Sequence, residues 1–389
     1  MKSLGIISEF NPFHNGHKYL LETAKEKLRP DFSISIMSGD FVQRGEASVM
    51  DKYTRAKVSV KSGFDMVVEM PTYVSLQAAE FFAKKSIHIL TLIGVDYLVF
   101  GIENISEKDF LEKTNILINK SSEVDKKIKK LIKTGISYPK AYADTINEYV
   151  GSNFISPNNI LGFEYIKAIS KLNSDITPFP IRRIESSNKD IDIRDKTFAS
   201  STAIRNNLDS DIKKVMPEES YTELINFLDK YQTFDYNFLY NIFKYKLLIE
   251  KYPMDDILTY EQGIENYLKD LALINKSYKD FIGHASSKRY TKARIKRLIL
   301  NYILDNRLEL NDIDPSFIKV LAFNLDSTQY FKKISSRCKL VINKKDYKNL
   351  TNQDKLIYKK MIEASNFYSL GIKRKINYDF RHNNRPIVW

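Results

Sequence analysis

Short apolar segments alternate with helical patterns over the first hundred residues of the chain. Four of them have the length and hydropathy of buried strands and occupy residues 4–7, 32–37, 66–70 and 97–100. Two of the intervening helical patterns cover residues 52–61, behind the candidate cap Asp51, and residues 72–93, behind Pro71. This alternation predicts an α/β fold with a parallel sheet and helices on both faces. Ligands of such sheets bind beyond the carboxyl ends of the strands.

One segment after the first strand carries two of the five histidines of the chain. It reads Phe-Asn-Pro-Phe-His-Asn-Gly-His over residues 10–17, and a helical pattern begins at about His17. The start of a helix presents unpaired N–H groups and the positive end of the helix dipole, which favour an anion. Gly16 lets the backbone approach that anion, and His14 and His17 can direct ring N–H donors at a phosphoryl oxygen. The segment therefore predicts a nucleotide phosphate site.

Other interpretations of the histidine pair are weaker. A histidine beside an apolar strand is commonly structural, but here two lie three residues apart around a glycine. Metal ligation is disfavoured because no third histidine, cysteine or acidic cluster lies nearby at ligand spacing, and we expect no metal site. The sequence also lacks a glycine-rich dinucleotide motif after a strand and a P-loop lysine motif.

A second motif, Ser-Ser-Thr-Ala-Ile-Arg, occupies residues 200–205. Serine and threonine before a helix are ordinary caps, so this run alone does not require a ligand. Between the two motifs lie three further distinctive segments, at residues 39–46, 100–104 and 156–162. The two motifs resemble, in this order, the signatures of the HxGH nucleotidyltransferase superfamily. Together with the three segments they closely resemble the bacterial tRNA(Met) cytidine acetate ligase family, over essentially the whole chain.

The resemblance implies a Rossmann-like HxGH nucleotidyltransferase sheet with an ATP site. It implies catalytic roles for His14 and His17, which would stabilise charge on the phosphoryl oxygens, and for Arg205, which would counter the pyrophosphate leaving group. The residues that it implies for ATP binding are Ile7, Ser8, Glu9, Phe10, Asn11, Pro12, Phe13, His14, Asn15, Gly16, His17, Lys18, Tyr19, Leu20, Gly101, Asn158, Arg183, Ser201 and Thr202.

Three segments leave alternatives open. Asn158 lies at a helix start, where an asparagine is a cap by default, whereas the resemblance implies a nucleotide contact. Between Arg183 and Ser200 the family usually has a Tyr-His pair, but this chain has Ser-Ser-Asn-Lys-Asp at residues 186–190, which leaves the role of that loop in doubt. Residues 39–46 follow the second strand, and we expect them to line the pocket for the acid.

The reaction that the resemblance implies has two steps. Acetate attacks the α-phosphate of ATP and pyrophosphate leaves; the N4 amine of the wobble cytidine of elongator tRNA(Met) then attacks the acetyl-adenylate, giving N4-acetylcytidine and AMP. We expect Mg²⁺ to accompany ATP and no acetyl-CoA to take part. A small-molecule, coenzyme-type adenylyltransferase is the alternative, but that activity does not account for roughly half of the chain. An RNA-binding protein with an inactive site is disfavoured by the intact motif residues His14, His17, Thr202 and Arg205.

The second half of the chain is the more basic half. The net charge is +13, of which residues 1–205, with 29 lysines and arginines against 25 acidic residues, contribute +4. Residues 206–389, with 32 against 23, contribute +9, and helical patterns replace strand patterns there. We expect an ATP-binding catalytic domain at 1–205 and a mainly α-helical, basic C-terminal domain at 206–389 that binds tRNA. A general abundance of lysine is the competing explanation of the charge.

The clearest basic element is the run at residues 288–297. The residues in it that we expect to bind tRNA are Arg289, Lys292, Lys296 and Arg297. A solvated helix face is the alternative. A second basic patch comprises residues 373–375 and 381–385, with Tyr378 and Phe380 available for stacking on an unpaired base. The sequence does not decide which patch meets the anticodon.

Composition also bounds the location of the protein. No apolar run approaches the length of a membrane span, and the N-terminus enters a strand rather than a signal peptide. The single cysteine, Cys338, excludes an intrachain disulfide and fits a reducing compartment. We expect a cytoplasmic protein that contacts no membrane and has no stable protein partner.

Overall fold

A computed structural model of the protein describes residues 2–136, 138–184, 197–376 and 387–388. Within these residues the strands are β1 Ser3–Ser8, β2 Phe32–Ser38, β3 Phe41–Val42, β4 Glu46–Ala47, β5 Met66–Met70, β6 Tyr97–Ile102, β7 Thr177–Arg182, β8 Phe317–Phe323, β9 Lys339–Val341 and β10 Ile387–Val388. The α-helices are α1 Asn15–Leu28, α2 Lys52–Lys61, α3 Thr72–Ser75, α4 Ala79–Ile93, α5 Glu107–Asn119, α6 Ser121–Lys133, α7 Tyr138–Val150, α8 Pro157–Lys171, α9 Ser201–Asn206, α10 Glu218–Lys230, α11 Tyr236–Lys244, α12 Ile264–Ile274, α13 Tyr278–Ala285, α14 Lys292–Ile303, α15 Phe331–Ser335 and α16 Asn352–Gly371. Short 3₁₀ or π-helical turns occupy Ser152–Phe154, Lys213–Val215, Tyr245–Ile249, Leu308–Asp312, Leu325–Tyr330 and Lys344–Asn349.

The main sheet has the order β10-β8-β5-β2-β1-β6-β7, with β9 also paired to β8. Strands β5, β2, β1, β6 and β7 run parallel to one another, and β8 pairs with β5 in the antiparallel sense. The four strands predicted from the sequence are β1, β2, β5 and β6, and their parallel pairing confirms the predicted α/β fold. Their carboxyl ends lie at one edge, where the motif residues follow.

Helices cover both faces of the sheet, and β2 and β5 are therefore buried along their whole length. On one face, Ile34 of β2 belongs to the same core cluster as Leu90 of α4. On the other face, Val67 of β5 belongs to a cluster with Leu21 of α1 and Ala56 of α2. The two-sided burial extends to the polar residues of these strands, Ser33, Ser35 and Ser38 in β2 and Glu69 in β5.

The second half of the chain builds its own helical core and also extends the sheet. Helices α10 to α14 and α16 supply most of the second core cluster, which includes Phe41 and Leu76 from the first half. Strand β8 pairs with β5, and β9 and β10 pair with β8. The sequence patterns did not predict these three strands, so the main sheet continues beyond residue 205. The division into two domains at that residue stays a prediction.

Three helix boundaries differ from the sequence prediction. Residues 72–93 form two helices, α3 and α4, with residues 76–78 between them. Helix α1 begins at Asn15 rather than His17, because His14 caps it. Helix α8 begins at Pro157 and is capped by Ser156, whose hydroxyl accepts from the N–H of Asn159. The side chain of Asn158 is therefore available for another contact.

Candidate active site

His14 and His17 cap the first helix reciprocally. The Gly16 N–H donates to Nδ1 of His14 at 3.1 Å, and the His14 N–H donates to Nδ1 of His17 at 3.2 Å. The two imidazole rings stack with centroids 3.7 Å apart. This is a capping box in which imidazole nitrogens replace the usual hydroxyl and carboxylate. It satisfies N–H groups at the start of α1 and fixes both rings.

These contacts also fix the protonation of the two rings. Because each Nδ1 accepts a hydrogen bond, a neutral ring carries its proton on Nε2. Burial, with a smaller effect of the Arg183 charge, lowers the pKa of His14 to about 3. Burial, aided by His14 and Arg183, lowers the pKa of His17 well below its ordinary value. At neutral pH the pair is therefore neutral, with two Nε2–H donors that have no hydrogen-bond partner among the described residues.

A buried arginine holds together the two loops that flank the histidines. The Arg55 side chain is fully buried and donates to the carbonyl oxygens of Glu9, Gly39 and Met50. Glu9 follows β1 and Gly39 follows β2, so one guanidinium fixes the carboxyl ends of two neighbouring strands. The Glu9 carboxylate accepts from the N–H of Gln43 at 2.8 Å, and burial raises the pKa of Glu9.

A third group of polar residues lies at the end of β6. The Glu103 carboxylate accepts from Nδ2 of Asn158 and from Nη1 of Arg183, the latter at 3.0 Å. Asn159 exchanges two hydrogen bonds with the Glu103 backbone and so fixes this turn. A Cβ at Gly101 would lie 2.9 Å from Cγ of Arg183, so the glycine allows the arginine to cross β6. The structure thus brings together Gly101, Asn158 and Arg183, all of which the resemblance implies for ATP.

The Ser-Ser-Thr-Ala-Ile-Arg motif forms the start of α9. Ser200 caps the helix through a hydrogen bond from the Ala203 N–H at 3.1 Å. Arg205 donates from Nη1 to the Asn11 carbonyl at 2.7 Å, and its Nη2 lies 3.5 Å from the Glu46 carboxylate. The Thr202 hydroxyl accepts from Arg44 at 3.4 Å. The motif is therefore both a cap and a cationic group beside the histidine loop.

Helix α14 of the second half packs against the loop after β2. The Lys296 ammonium bonds to the Glu46 carboxylate at 2.5 Å, and Nη1 of Arg297 donates to the Gln43 carbonyl at 3.0 Å. Gly45 has φ of +72°, and a Cβ there would lie 2.6 Å from the backbone nitrogen of Arg297. Only glycine allows this backbone conformation together with this close approach. Two residues expected to bind tRNA, Lys296 and Arg297, thus lie against the loop after β2.

These groups surround one cavity of about 430 Å³. The implied nucleotide and catalytic residues that line it are Ile7, Ser8, Glu9, Phe10, His14, Gly16, His17, Tyr19, Leu20, Gly101, Asn158, Arg183, Ser201, Thr202 and Arg205. The implied residues outside its lining are Asn11, Pro12, Phe13, Asn15 and Lys18. Four of these five belong to the histidine segment itself, which suggests that they shape the loop. Asn11, for example, accepts from Val49 N–H and Arg205 through its two oxygens.

The other basic residues of the expected tRNA surface lie away from the cavity. Arg289 is exposed and pairs with Glu261, and Lys292 is exposed at the start of α14. Of the second patch, Arg374 is buried and pairs with Asp51. Tyr378, Phe380, residues 381–385 and the loop at residues 186–190 lie outside the described residues. The tRNA contacts stay predictions.

Sequence reasoning missed the structural role of two acidic residues. Glu103 and Glu46 lie in segments recognised as distinctive, yet neither was assigned a role. Each carboxylate contacts a cation from another part of the chain, Arg183 for Glu103 and Arg205 with Lys296 for Glu46. No local pattern contains both partners, so no signal in the sequence identified these pairs. Gln43 and Arg44 line the cavity, and a role of residues 39–46 in binding the acid stays a prediction.

The described part of the chain contains no cluster of three histidine, cysteine or acidic side chains able to hold a metal ion. Nor does any helix in that part combine the length and apolar character needed to cross a bilayer.

Comparison with known proteins identifies the class. The profile of the HIGH Nucleotidyl Transferase family matches residues 1–383, which accords with the parallel sheet and the histidine loop. The tRNA(Met) cytidine acetate ligase of Thermosipho africanus is 34% identical over 427 aligned residues, covering 100% of this chain and 99% of the relative. That of Caldicellulosiruptor bescii is 34% identical, covering 96% and 95%. The chain therefore belongs to the tRNA(Met) cytidine acetate ligase family within the HIGH nucleotidyl transferases.

Solved structures agree with this assignment. The structure is similar to that of Thermotoga maritima TmcAL in its apo form, with a TM-score of 0.89, 28% identity and 100% coverage of both chains. It is also similar to the same protein bound with alpha-thio ATP, with a TM-score of 0.87, 27% identity and 100% coverage of both chains. The α/β nucleotidyltransferase fold predicted from the sequence is confirmed.

Proposed function

We propose that this protein is an ATP-dependent tRNA(Met) cytidine acetate ligase. It activates acetate as acetyl-adenylate and transfers the acetyl group to N4 of the wobble cytidine of elongator tRNA(Met). The observation that carries the proposal is the pair of neutral imidazoles at the start of α1, whose Nε2–H groups are left for a ligand of the cavity. The full-length similarity to the tRNA(Met) cytidine acetate ligases is the reason for proposing acetate and tRNA as the other substrates.

In the first step, a carboxylate oxygen of acetate forms a bond to the α-phosphorus of ATP. The bond from that phosphorus to the bridging oxygen of the β-phosphate breaks, and pyrophosphate leaves with the electron pair. The Nε2–H groups of His14 and His17 donate to the phosphoryl oxygens, where negative charge increases. Neutral donors suit this role because they stabilise the charge without transferring a proton. The fixed stacking of the rings means that they need not reorganise during the step.

Two arginines orient the nucleotide in this proposal. Arg205, fixed by Asn11 and Glu46, holds the β- and γ-phosphates beside Ser201 and Thr202. Arg183, fixed by Glu103, lies with Asn158 at the end of β6 and holds the nucleoside part of ATP. Mg²⁺ would accompany ATP and would supply positive charge against the phosphates.

In the second step, the N4 amine of the cytidine attacks the carbonyl carbon of acetyl-adenylate. A C–N bond forms, the bond from the carbonyl carbon to the AMP oxygen breaks, and the amine releases one proton to solvent. The cytosine must leave the base stack to reach the cavity, which a base of an anticodon loop can do at low cost. The basic surface of residues 206–389 attracts the tRNA, and the reaction takes place in the cytoplasm without acetyl-CoA.

The test is mass spectrometry of nucleosides from tRNA incubated with the purified protein, ATP and isotopically labelled acetate. The proposal predicts labelled N4-acetylcytidine that requires ATP, together with AMP and pyrophosphate in equal amounts. Its absence while acetate-dependent ATP cleavage continues would exclude tRNA acetylation and favour a small-molecule acceptor. Label that enters from acetyl-CoA without ATP would contradict the adenylation chemistry.

A further inference from the structure

Arg297 is a half-buried cation of the second half that lines the nucleotide cavity. Its Nη1 donates to the Gln43 carbonyl, but its Nε is buried and has no hydrogen-bond partner among the described residues. No carboxylate in the described part of the chain forms an ion pair with it. Burial, followed by the nearby charge of Arg294, lowers the pKa of Arg297 to about 10, so the side chain is still cationic at neutral pH.

The neighbouring basic residues differ from Arg297 in this respect. Lys296 pairs with Glu46, Arg294 pairs with Glu261, and Arg289 pairs with the same Glu261. A buried charge without a counter-charge is costly, and proteins normally pair such groups. The position of Arg297 is nevertheless fixed by close packing of α14 on the loop after β2. An anion that enters the cavity would supply the missing counter-charge.

The surroundings of Arg297 indicate which anion this is. Its neighbour Lys296 contacts Glu46, and the same carboxylate contacts Arg205. Arg44 and Arg205 both approach the Thr202 hydroxyl, at 3.4 and 3.5 Å. Arg297 thus belongs to the cationic end of the cavity, next to the motif at the start of α9. Several cations around few carboxylates match a multiply charged polyphosphate better than a single carboxylate.

We propose that Arg297 binds the β- and γ-phosphates of ATP, so that helix α14 of the second half completes the nucleotide site. This inference rests on the proposed adenylation and adds to it a contact from outside the signature motifs. The guanidinium would donate from Nε and Nη2 to phosphate oxygens while Nη1 still donates to the Gln43 carbonyl. Helix α14 would then connect ATP on its inner side with the expected tRNA surface on its outer side.

The test compares ATP and AMP binding to the full-length protein by titration calorimetry. Arg297→Gln is expected to weaken ATP binding at least about tenfold and to leave AMP binding unchanged, because AMP lacks the two phosphates. Arg297→Lys keeps the positive charge but lacks the planar set of guanidinium N–H donors, and is expected to weaken ATP binding less than Arg297→Gln does. The matched control is Arg294→Gln, on the same helix but paired with Glu261, which should bind both nucleotides like the wild type.

The outcomes separate this inference from the proposed function. Wild-type protein that binds no ATP would contradict both. Equal ATP affinities of wild type and Arg297→Gln, or equal losses for ATP and AMP, would contradict the role of Arg297 alone. Thermal unfolding provides an independent check: without nucleotide, Arg297→Gln should unfold at the wild-type temperature or above, since it removes a half-buried charge that has no acidic partner among the described residues. A clear drop in that temperature, with ATP and AMP affected alike, would assign Arg297 a structural role instead.

Discussion

The start of α1 and the inner side of α14 meet at the same cavity but are built differently. At α1, one run of eight residues supplies both histidines, the cap and the turn, and the capping hydrogen bonds of both imidazoles lie within that run. At α14, the contacts of Lys296 and Arg297 come from residues about 250 positions earlier in the chain. The first region is a local motif, and the second exists only because the halves pack together.

The two regions also differ in the charge that they present to the cavity. His14 is buried and His17 half-buried, and the lowered pKa of each keeps it neutral, so the first region presents donors without a net charge. Arg297 is half-buried and charged, its Nε atom is buried, and among the described residues it has no acidic partner. A neutral donor pair suits the reacting phosphoryl group, and a cation suits the departing polyphosphate.

The largest effect is expected at the histidine pair. His14→Ala or His17→Ala removes one donor to the phosphoryl oxygens and should lower acetate-dependent N4-acetylcytidine formation about 100- to 1,000-fold. The measurement is the initial rate at saturating ATP, acetate and tRNA. His284→Asn is the control, because His284 bonds to Asn275 in the helical half and should be dispensable. Near-wild-type rates in either alanine variant would remove the histidines from the mechanism.

The second effect is on stability in acid. The pKa of His14 is about 3 in the folded protein and about 6.5 unfolded, so the unfolded chain binds the proton first as the pH falls. The contribution of neutral His14 to the free energy of unfolding is fully present above pH ~6.5. It is lost as the pH falls towards ~3, by about 1.4 kcal/mol per pH unit. Urea unfolding between pH 7 and 5 should therefore show a shallower pH dependence in His14→Gln than in the wild type.

Arg297→Gln provides the comparison for this pH dependence. Arg297 does not titrate in this range, so its replacement should leave the slope of stability against pH as in the wild type. A slope that stays the same in His14→Gln as well would show that His14 is not kept neutral by burial.

A smaller effect is expected at Glu103. Its carboxylate orients Arg183 and Asn158, and Glu103→Gln removes the negative charge while keeping the shape. Loss of one charge-assisted contact should raise the KM for ATP about tenfold, with a smaller change in kcat. Glu112→Gln is the matched control, since Glu112 pairs with Lys108 on the surface of α5. An unchanged KM for ATP in Glu103→Gln would show that this turn does not position the nucleotide.

The smallest effect concerns the outer side of α14. Lys292 is exposed, and Lys292→Gln should lower the slope of log tRNA affinity against log salt by about one, because one phosphate contact is lost. ATP binding should not change. Lys108→Gln, an exposed lysine of the first half, is the control. If Lys292→Gln leaves tRNA binding at every salt concentration unchanged, the basic run is a solvated face rather than an RNA surface.

The sequence predicted the local features of the site well. Asp51 caps a helix that ends at Lys61, and the four predicted strands pair in parallel, because apolar runs and caps are set by neighbouring residues. The two signature motifs meet at one cavity, as the resemblance implied. Even there, Ser156 rather than Asn158 proved to be the cap, since the choice depends on where α8 begins.

The features that were missed depend on contacts over long distances in sequence. Strand β8 is a short, fully buried apolar run between helices, and only its pairing with β5 distinguishes it from a helical segment. Glu46 appears as one acidic residue in a loop until α14 brings Lys296 to it. Gly45 likewise becomes informative once the backbone of Arg297 lies against it.

A crystal structure of this protein with a non-hydrolysable ATP analogue would show which groups hold each phosphate. We expect the α-phosphate to lie within hydrogen-bond distance of Nε2 of His14 and His17. We also expect the β- and γ-phosphates to contact Arg205 from the first half and Arg297 from the second. A nucleotide whose phosphates point away from the histidines, or contact residues of the first half alone, would contradict the account.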